Sequence, residues 1–305
     1  MSRRANSLAR SGYGGRHWRR SWIGGVEIGG VTSLRGLVID QAKGVHEPRS
    51  VEARPFGDSI DGLHLDDELL TIAAIGLDGV GDKHPLGVVE GATENAAAVQ
   101  ALIDNLIGRG LDPTVSRLFI VDGAKALSRA IRSSFGPAAL IQRCQVHKAR
   151  NIVERLPKEL HASTRRVLRQ AWELDDADKA ERLLRNLARR LEHDWPGIAG
   201  SILEGMDEIL TVVRLKLPAE LRRSLACTNI AENMMGTIRR VTRNVKRWRN
   251  ARMAVRWVAA GMIEAAKGFR KLKANKHLPL LRAALQASRS DDLVDKSVAE
   301  LAEAA

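Results

Sequence analysis

Three acids in the 305-residue chain are distinguished by what surrounds them. Asp61 stands in Ser59-Ile60-Asp61-Gly62-Leu63 and Asp122 in Leu118-Phe119-Ile120-Val121-Asp122-Gly123. Apolar neighbours make a bare carboxylate costly to bury unless a cation compensates it. Glu232 follows in Cys227-Thr228-Asn229-Ile230-Ala231-Glu232-Asn233. Carboxylates on rigid elements are hard oxygen ligands suited to Mg²⁺ or Mn²⁺, which keep waters and bind phosphate oxygens through one or two carboxylates. The chemistry to expect is a divalent ion held by such acids with a phosphate bound to it. Taken singly, Asp122 is no more than a helix cap and Asp61 a strand-end acid, so the reading depends on elements that bring them together.

Charge points to the same partner. The chain carries 49 Lys and Arg against 36 Asp and Glu, a formal net charge of +13. Fourteen Lys and Arg against Glu264 alone fall between residues 233 and 282, so this one segment carries a charge equal to that of the whole chain. A localised basic footprint implies a polyanion, and double-stranded DNA fits it. At 100° per residue, Glu232, Gly236, Arg239, Arg243 and Arg247 fall within roughly 80° of one another, while Met234, Ile238, Val241, Val245 and Trp248 gather opposite. The expected helix has a packed side and a working side, the latter opening with a carboxylate and continuing with Arg239, Arg240, Arg243, Lys246 and Arg247 along a phosphate backbone. A solvated basic helix would usually mix signs.

Cys144 and His147 form Cys-x-x-His, half of a zinc site. A structural zinc wants four ligands, and the only other cysteine is Cys227, so no zinc is expected. The pair is expected to pack or hydrogen-bond near Asp122 and steady the end of the fifth strand, Leu140–Arg143. No stretch of about 18 uncharged apolar residues exists to span a membrane. Two cysteines build no disulfide framework and suit a reducing cytoplasm.

The elements that must position these groups follow from residue 59 onward. Ser59–Leu65, Leu69–Leu77 and His84–Val89 read as an antiparallel meander with turn residues at Gly76–Gly79 and Gly81-Asp82. Thr93 is the expected cap of a helix that Gly110 stops. Arg117–Val121 reads as a fourth strand, Ala124–Phe135 as a helix and Leu140–Arg143 as a fifth strand. This order describes an α/β, RNase H-like mixed five-stranded sheet flanked by helices, in which the strands of Asp61 and Asp122 are neighbours. The expected units are a poorly ordered basic leader (1–55), the first part of the core (56–144), an all-helical insertion (145–226), the continued core with a long basic helix (227–285) and a polar tail (286–305). Pro157, Pro196 and Pro218 mark helix boundaries in the insertion. The long helix is expected from Thr228 toward Leu272, closed by Asn275 and Pro279.

Five stretches then occur in order: Leu77-Asp78 to Glu94-Asn95, Val121–Leu127, Gln142–Lys148, Thr228-Asn229 with Glu232-Asn233, and Arg239–Trp248. Together they resemble the bacterial insertion-sequence transposases of the Mutator family over residues 57 to 285. The resemblance implies a DDE transposase whose acids are Asp61, Asp122 and Glu232. It makes Cys144 and His147 the family's Cys-x-x-His signature and places a helical insertion between the second and third acids. The expected protein is a cytoplasmic, nucleoid-associated homo-oligomer acting on element ends and target DNA. Two rivals remain at this stage: a DNA nuclease with the same fold and metals, and an idle DNA-binding remnant, the latter because residues 1–55 do not look like the helical region with which family members usually begin.

Overall fold

Runs such as Leu70–Leu77 and Arg117–Val121 are rich in Ile, Val, Leu and Phe with few breaks, the composition of strands covered on both faces. The computed structural model describes residues 57–64, 70–92 and 95–288. These runs pair into one sheet with β1 (Gly57–His64), β2 (Leu70–Leu77), β3 (Lys83–Glu90), β4 (Arg117–Val121) and β5 (Ala139–Arg143) in the order β3-β2-β1-β4-β5. β1, β2 and β3 form the antiparallel meander, and β1, β4 and β5 are parallel. The fold is thus α/β with a mixed sheet, an arrangement compatible with an RNase H-like core.

Helices α1 (Ala96–Gly108) and α2 (Lys125–Phe135) cover one face. Val99, Leu102, Ile103, Leu127 and Ile131 pack there against Ile60, Ile72, Phe119 and Val121. Asn95 caps α1, its side chain accepting from the amides of Ala97 and Ala98. The cap expected at Thr93 falls outside the described residues, as do the leader and most of the polar tail.

The segment after β5 is helical: α3 (Gln145–Val153), α4 (Lys158–Glu173), α5 (Ala177–Glu192), α6 (Pro196–Leu203), two single turns and α7 (Ala219–Leu225). Pro157, Pro196 and Pro218 each stand at the start of a helix, where a missing N–H costs nothing. These helices bury an apolar core of their own that includes Leu168, Leu184, Leu187, Ile198 and Ile209.

The long basic helix is where the expectation fails. The chain forms α8 (Asn229–Thr242), leaves helical geometry over residues 243–250, and folds back as α9 (Ala251–Ala266). Thr242 Oγ1 bonds back to the carbonyls of Ile238 and Arg239, and Asn250 starts the next helix by accepting from the Met253 amide at 2.9 Å. Folding back also buries α9, which a straight continuation would leave in solvent. Ala254, Val258 and Met262 are buried, and Gly261 lies so close that an added Cβ would sit 3.0 Å from Ile238 Cα. Val245, Arg247 and Trp248 therefore belong to the connection, not to a helical stripe. α8, α9 and a last helix, α10 (residues 278–288), cover the second face of the sheet through Met234, Ile238, Met262 and Leu281. Pro279 falls in the first turn of α10, where its missing N–H costs nothing.

One ion pair crosses the sheet interior. Asp58, 1 % exposed, faces Arg117 with Oδ2 and Nε 3.9 Å apart. Burial dominates over the attraction of Arg117 and pushes the carboxyl up to about 6. Because the folded value is raised, the stability tied to this group is full below about 4 and is lost as pH rises through about 6, a swing on the order of 3 kcal/mol. Asp58→Asn should therefore gain on the wild type as urea denaturation is moved from pH 4.5 to pH 8 (roughly the window of that titration). The opposite trend would mean that Arg117 keeps the carboxylate charged.

Candidate functional site

Parallel pairing of β1 and β4 runs Gly57↔Leu118 through Ile60↔Val121, so Asp61 and Asp122 are the residues that follow the last matched pair on neighbouring strands. Nothing is described of the Asp61 side chain. Asp122 is half-buried, and its Oδ1 accepts from the Ala124 amide at 3.0 Å, so the carboxylate caps the turn into α2 while Oδ2 has no partner among the described residues. The next residue, Gly123, has a φ of +108°, and a Cβ there would lie 2.1 Å from Arg143 Nε. Only glycine allows the guanidinium of Arg143 to lie against the backbone beside Asp122.

Glu232 occupies the first turn of α8, where its charge suits the helix dipole. It is tied to the end of β4 by a chain of hydrogen bonds through Cys144. The Cys144 amide donates to the Val121 carbonyl at 2.7 Å. Its sulfur accepts from the His147 amide, the Thr228 amide and Thr228 Oγ1, each at 3.5 Å. Thr228 Oγ1 also stands 3.1 Å from Glu232 Oε1, and His147 Nε2 lies 3.6 Å from the same oxygen. Burial pushes the Cys144 thiol up, but the hydrogen bonds from His147 and Thr228 outweigh it and hold it below its usual value. The Cys-x-x-His pair thus joins the strand that ends in Asp122 to the helix that starts with Glu232.

Thr228, the hub of this network, was quoted in a motif but given no role by sequence reading. Its signal was the i, i+4 spacing to Glu232. A second unforeseen cluster flanks Asp122. Glu204, at the end of α6, meets Lys125 at 2.8 Å and Arg143 at 3.7 Å. The buried Lys148 donates to the Glu204 carbonyl at 2.7 Å. Burial, reinforced by Arg143, brings the Lys148 ammonium down to about 8. Nothing in the local pattern around Glu204 pointed there, because it comes from about sixty residues farther along the chain.

Among the described residues, no three His, Cys, Asp or Glu side chains converge closely enough to hold a metal ion by themselves. The donor chemistry nonetheless suits one: Asp122 has an oxygen with no hydrogen-bond or ion-pair partner among the described residues, and Glu232 is held by a neutral hydroxyl and a histidine. On the working side of α8, Arg239, Arg240 and Arg243 are exposed, and Lys246 and Arg247 are exposed in the connection that follows. The opposite side is buried through Met234, Met235, Ile238 and Thr242, with Val241 half-buried. No described helix is long and apolar enough to cross a membrane.

Comparison with known proteins bears on these same residues. Residues 67–271 match the model of the Mutator family of transposases, a span that holds Asp122, Cys144, His147, Glu232 and the basic cluster and begins after Asp61. The chain is 29% identical over 230 residues to the transposase for insertion sequence element IS6120 of Mycolicibacterium smegmatis, covering 73% of this chain and 69% of that one. It is 29% identical over 181 residues to the transposase for element IST2 of Acidithiobacillus ferrooxidans, covering 59% and 60%. With the transposase for IS256 in transposon Tn4001 of Staphylococcus aureus it shares 28% identity over 194 residues, covering 63% of this chain and 48% of that one. The chain thus spans between about half and two-thirds of the length of such relatives. With two-thirds of its own length inside the family match, the chain belongs to the Mutator family of transposases.

Proposed function

We propose that the chain is an RNase H-like DDE transposase that cuts DNA at the ends of an insertion element to free a 3′-OH and joins that end to target DNA. The observation that carries this reading is the hydrogen-bonded link from the end of β4 through Cys144 and Thr228 to Glu232, beside the matched register of Asp61 and Asp122. Asp61, Asp122 and Glu232 would hold two divalent ions, Mg²⁺ or Mn²⁺. What such ions supply when bound is charge at the scissile phosphate and a more acidic attacking water or 3′-OH. The chain's own groups supply the frame. Asp122 is fixed by its turn, His147 and Thr228 orient Glu232, and Arg143 places a cation next to the acid at Asp122.

In this reading residues 56–144 and 227–285 are the catalytic core, 145–226 is an insertion, and the protein works as a homo-oligomer on the bacterial nucleoid. Arg239, Arg240, Arg243, Lys246 and Arg247 hold the backbone of double-stranded DNA without reading bases. Replacing Arg239, Arg240 and Arg243 by Ala should flatten the slope of log K against log salt by about 0.9 for each phosphate that is no longer neutralised, with little change in melting temperature. An unchanged slope would remove this face from the interface. The function is tested by incubating the chain with duplex element ends, target plasmid and Mg²⁺. Joined products support a transposase, cleavage without joining supports a nuclease, and neither activity alongside intact DNA binding supports an idle remnant.

A further inference from the structure

The helical insertion carries a feature that the catalytic reading leaves unused. A cavity of about 770 Å³ opens where α3 and α4 approach α7 and the start of α8. Asn229, one turn before Glu232, is among the residues that line it. Arg150, Arg165, Arg169 and Arg223 line it against two acids, Glu154 and Glu173. The four arginines are exposed, and among the described residues none of their guanidinium groups has a hydrogen-bond or ion-pair partner. Arg222, also in the wall, is by contrast committed to the Glu173 and Leu174 carbonyls and to Asp175.

Trp172 completes the wall. It lies three residues beyond Arg169 on α4, it is half-buried, and its indole N–H is shielded from solvent with no acceptor among the described residues. A buried donor left unmatched carries a free-energy cost that an incoming acceptor would remove.

We propose that this cavity binds an unpaired stretch of DNA strand, with phosphates on the four arginines and a base against Trp172. A cavity of this volume admits a nucleotide or two but not a duplex, which needs an open surface such as that of α8. Unpaired arginines beside an indole are the combination that holds single strands, where charge follows the backbone and the ring accepts any base. A strand seated there passes Asn229 and arrives at the turn that bears Glu232. The inference deepens the transposase reading and rests on it for the identity of the polymer.

The test is fluorescence anisotropy on the full chain with a labelled oligo-dT strand and, separately, a labelled duplex of equal length, at one fixed salt concentration. The double variant Arg165→Ala/Arg169→Ala should weaken oligo-dT binding about tenfold or more and leave duplex binding within about twofold. Since Trp172 also packs against the insertion's core, Trp172→Phe is the matching aromatic variant. It keeps a stacking face, removes the N–H and should weaken oligo-dT binding by a few-fold at an unchanged melting temperature. Equal losses for strand and duplex, or an oligo-dT affinity that ignores both variants, would overturn the inference while leaving the transposase reading intact. Wild-type chain that binds neither DNA would overturn both.

Discussion

Asp122→Asn should reduce Mg²⁺-dependent cleavage of element-end duplexes by at least about a thousandfold, while the unfolding midpoint and duplex affinity stay near wild type. The turn into α2 explains why the fold survives. Asp122 Oδ1 accepts from the Ala124 amide, and an Asn side chain offers the same carbonyl acceptor at that position. What the substitution removes is the negative charge, and with it the attraction for a hard cation. Asp61→Asn and Glu232→Gln should behave alike, and a double variant should lose little more than a single one because the three acids act as a unit. In the proposed reading duplex binding would rest on the exposed arginines along α8 and after it, charges that none of these variants touches. Single variants that still nick at near the wild-type rate in Mg²⁺ would sink the assignment of these acids as metal ligands.

The sheet was legible because its signals are local. Arg117–Val121 is a short run of Leu, Phe, Ile and Val bounded by turn residues, and its limits in the structure are those its composition suggests. The neighbouring strands agree to within about two residues for the same reason. The long basic segment misled because amphipathic spacing continues straight through a break. Val241, Val245 and Trp248 keep the helical period, yet the chain turns at residues 243–250 because burying α9 against α8 gains more than extending a helix into solvent. That gain depends on the close approach of Ile238 and Gly261, twenty-three residues apart, which no local window registers. The site divides in the same way. Cys144 was expected to pack near Asp122 and steady the end of the fifth strand; its amide bonds instead to Val121, at the end of the fourth. Its sulfur's three donors include two from Thr228, which lies 84 residues farther along the chain. Arg143 and Glu204 likewise meet only once α6 has docked on the core.

The turn of α8 fixes which of its residues tolerate charge, and this gives the second large effect. Ile238 is 0 % exposed, and Gly261 of α9 approaches its backbone so closely that neither side chain nor water has room to move in. An Asp at that position would be ionised with no cation within the packed face and no space for solvent. Ile238→Asp should therefore cost on the order of 4 kcal/mol or more, a large share of the 5–15 kcal/mol that typically separates a folded domain from its unfolded chain. Cleavage and DNA binding should be lost together with the cooperative unfolding transition. Val241, which faced the core in the straight-helix reading, is only half-buried near the end of α8. Val241→Asp should cost no more than about 1 kcal/mol. Urea denaturation of the two variants separates the alternatives. If Val241→Asp unfolds the protein and Ile238→Asp does not, α8 is rotated about its axis, and the exposed face of Arg239, Arg240 and Arg243 cannot be the one that meets DNA.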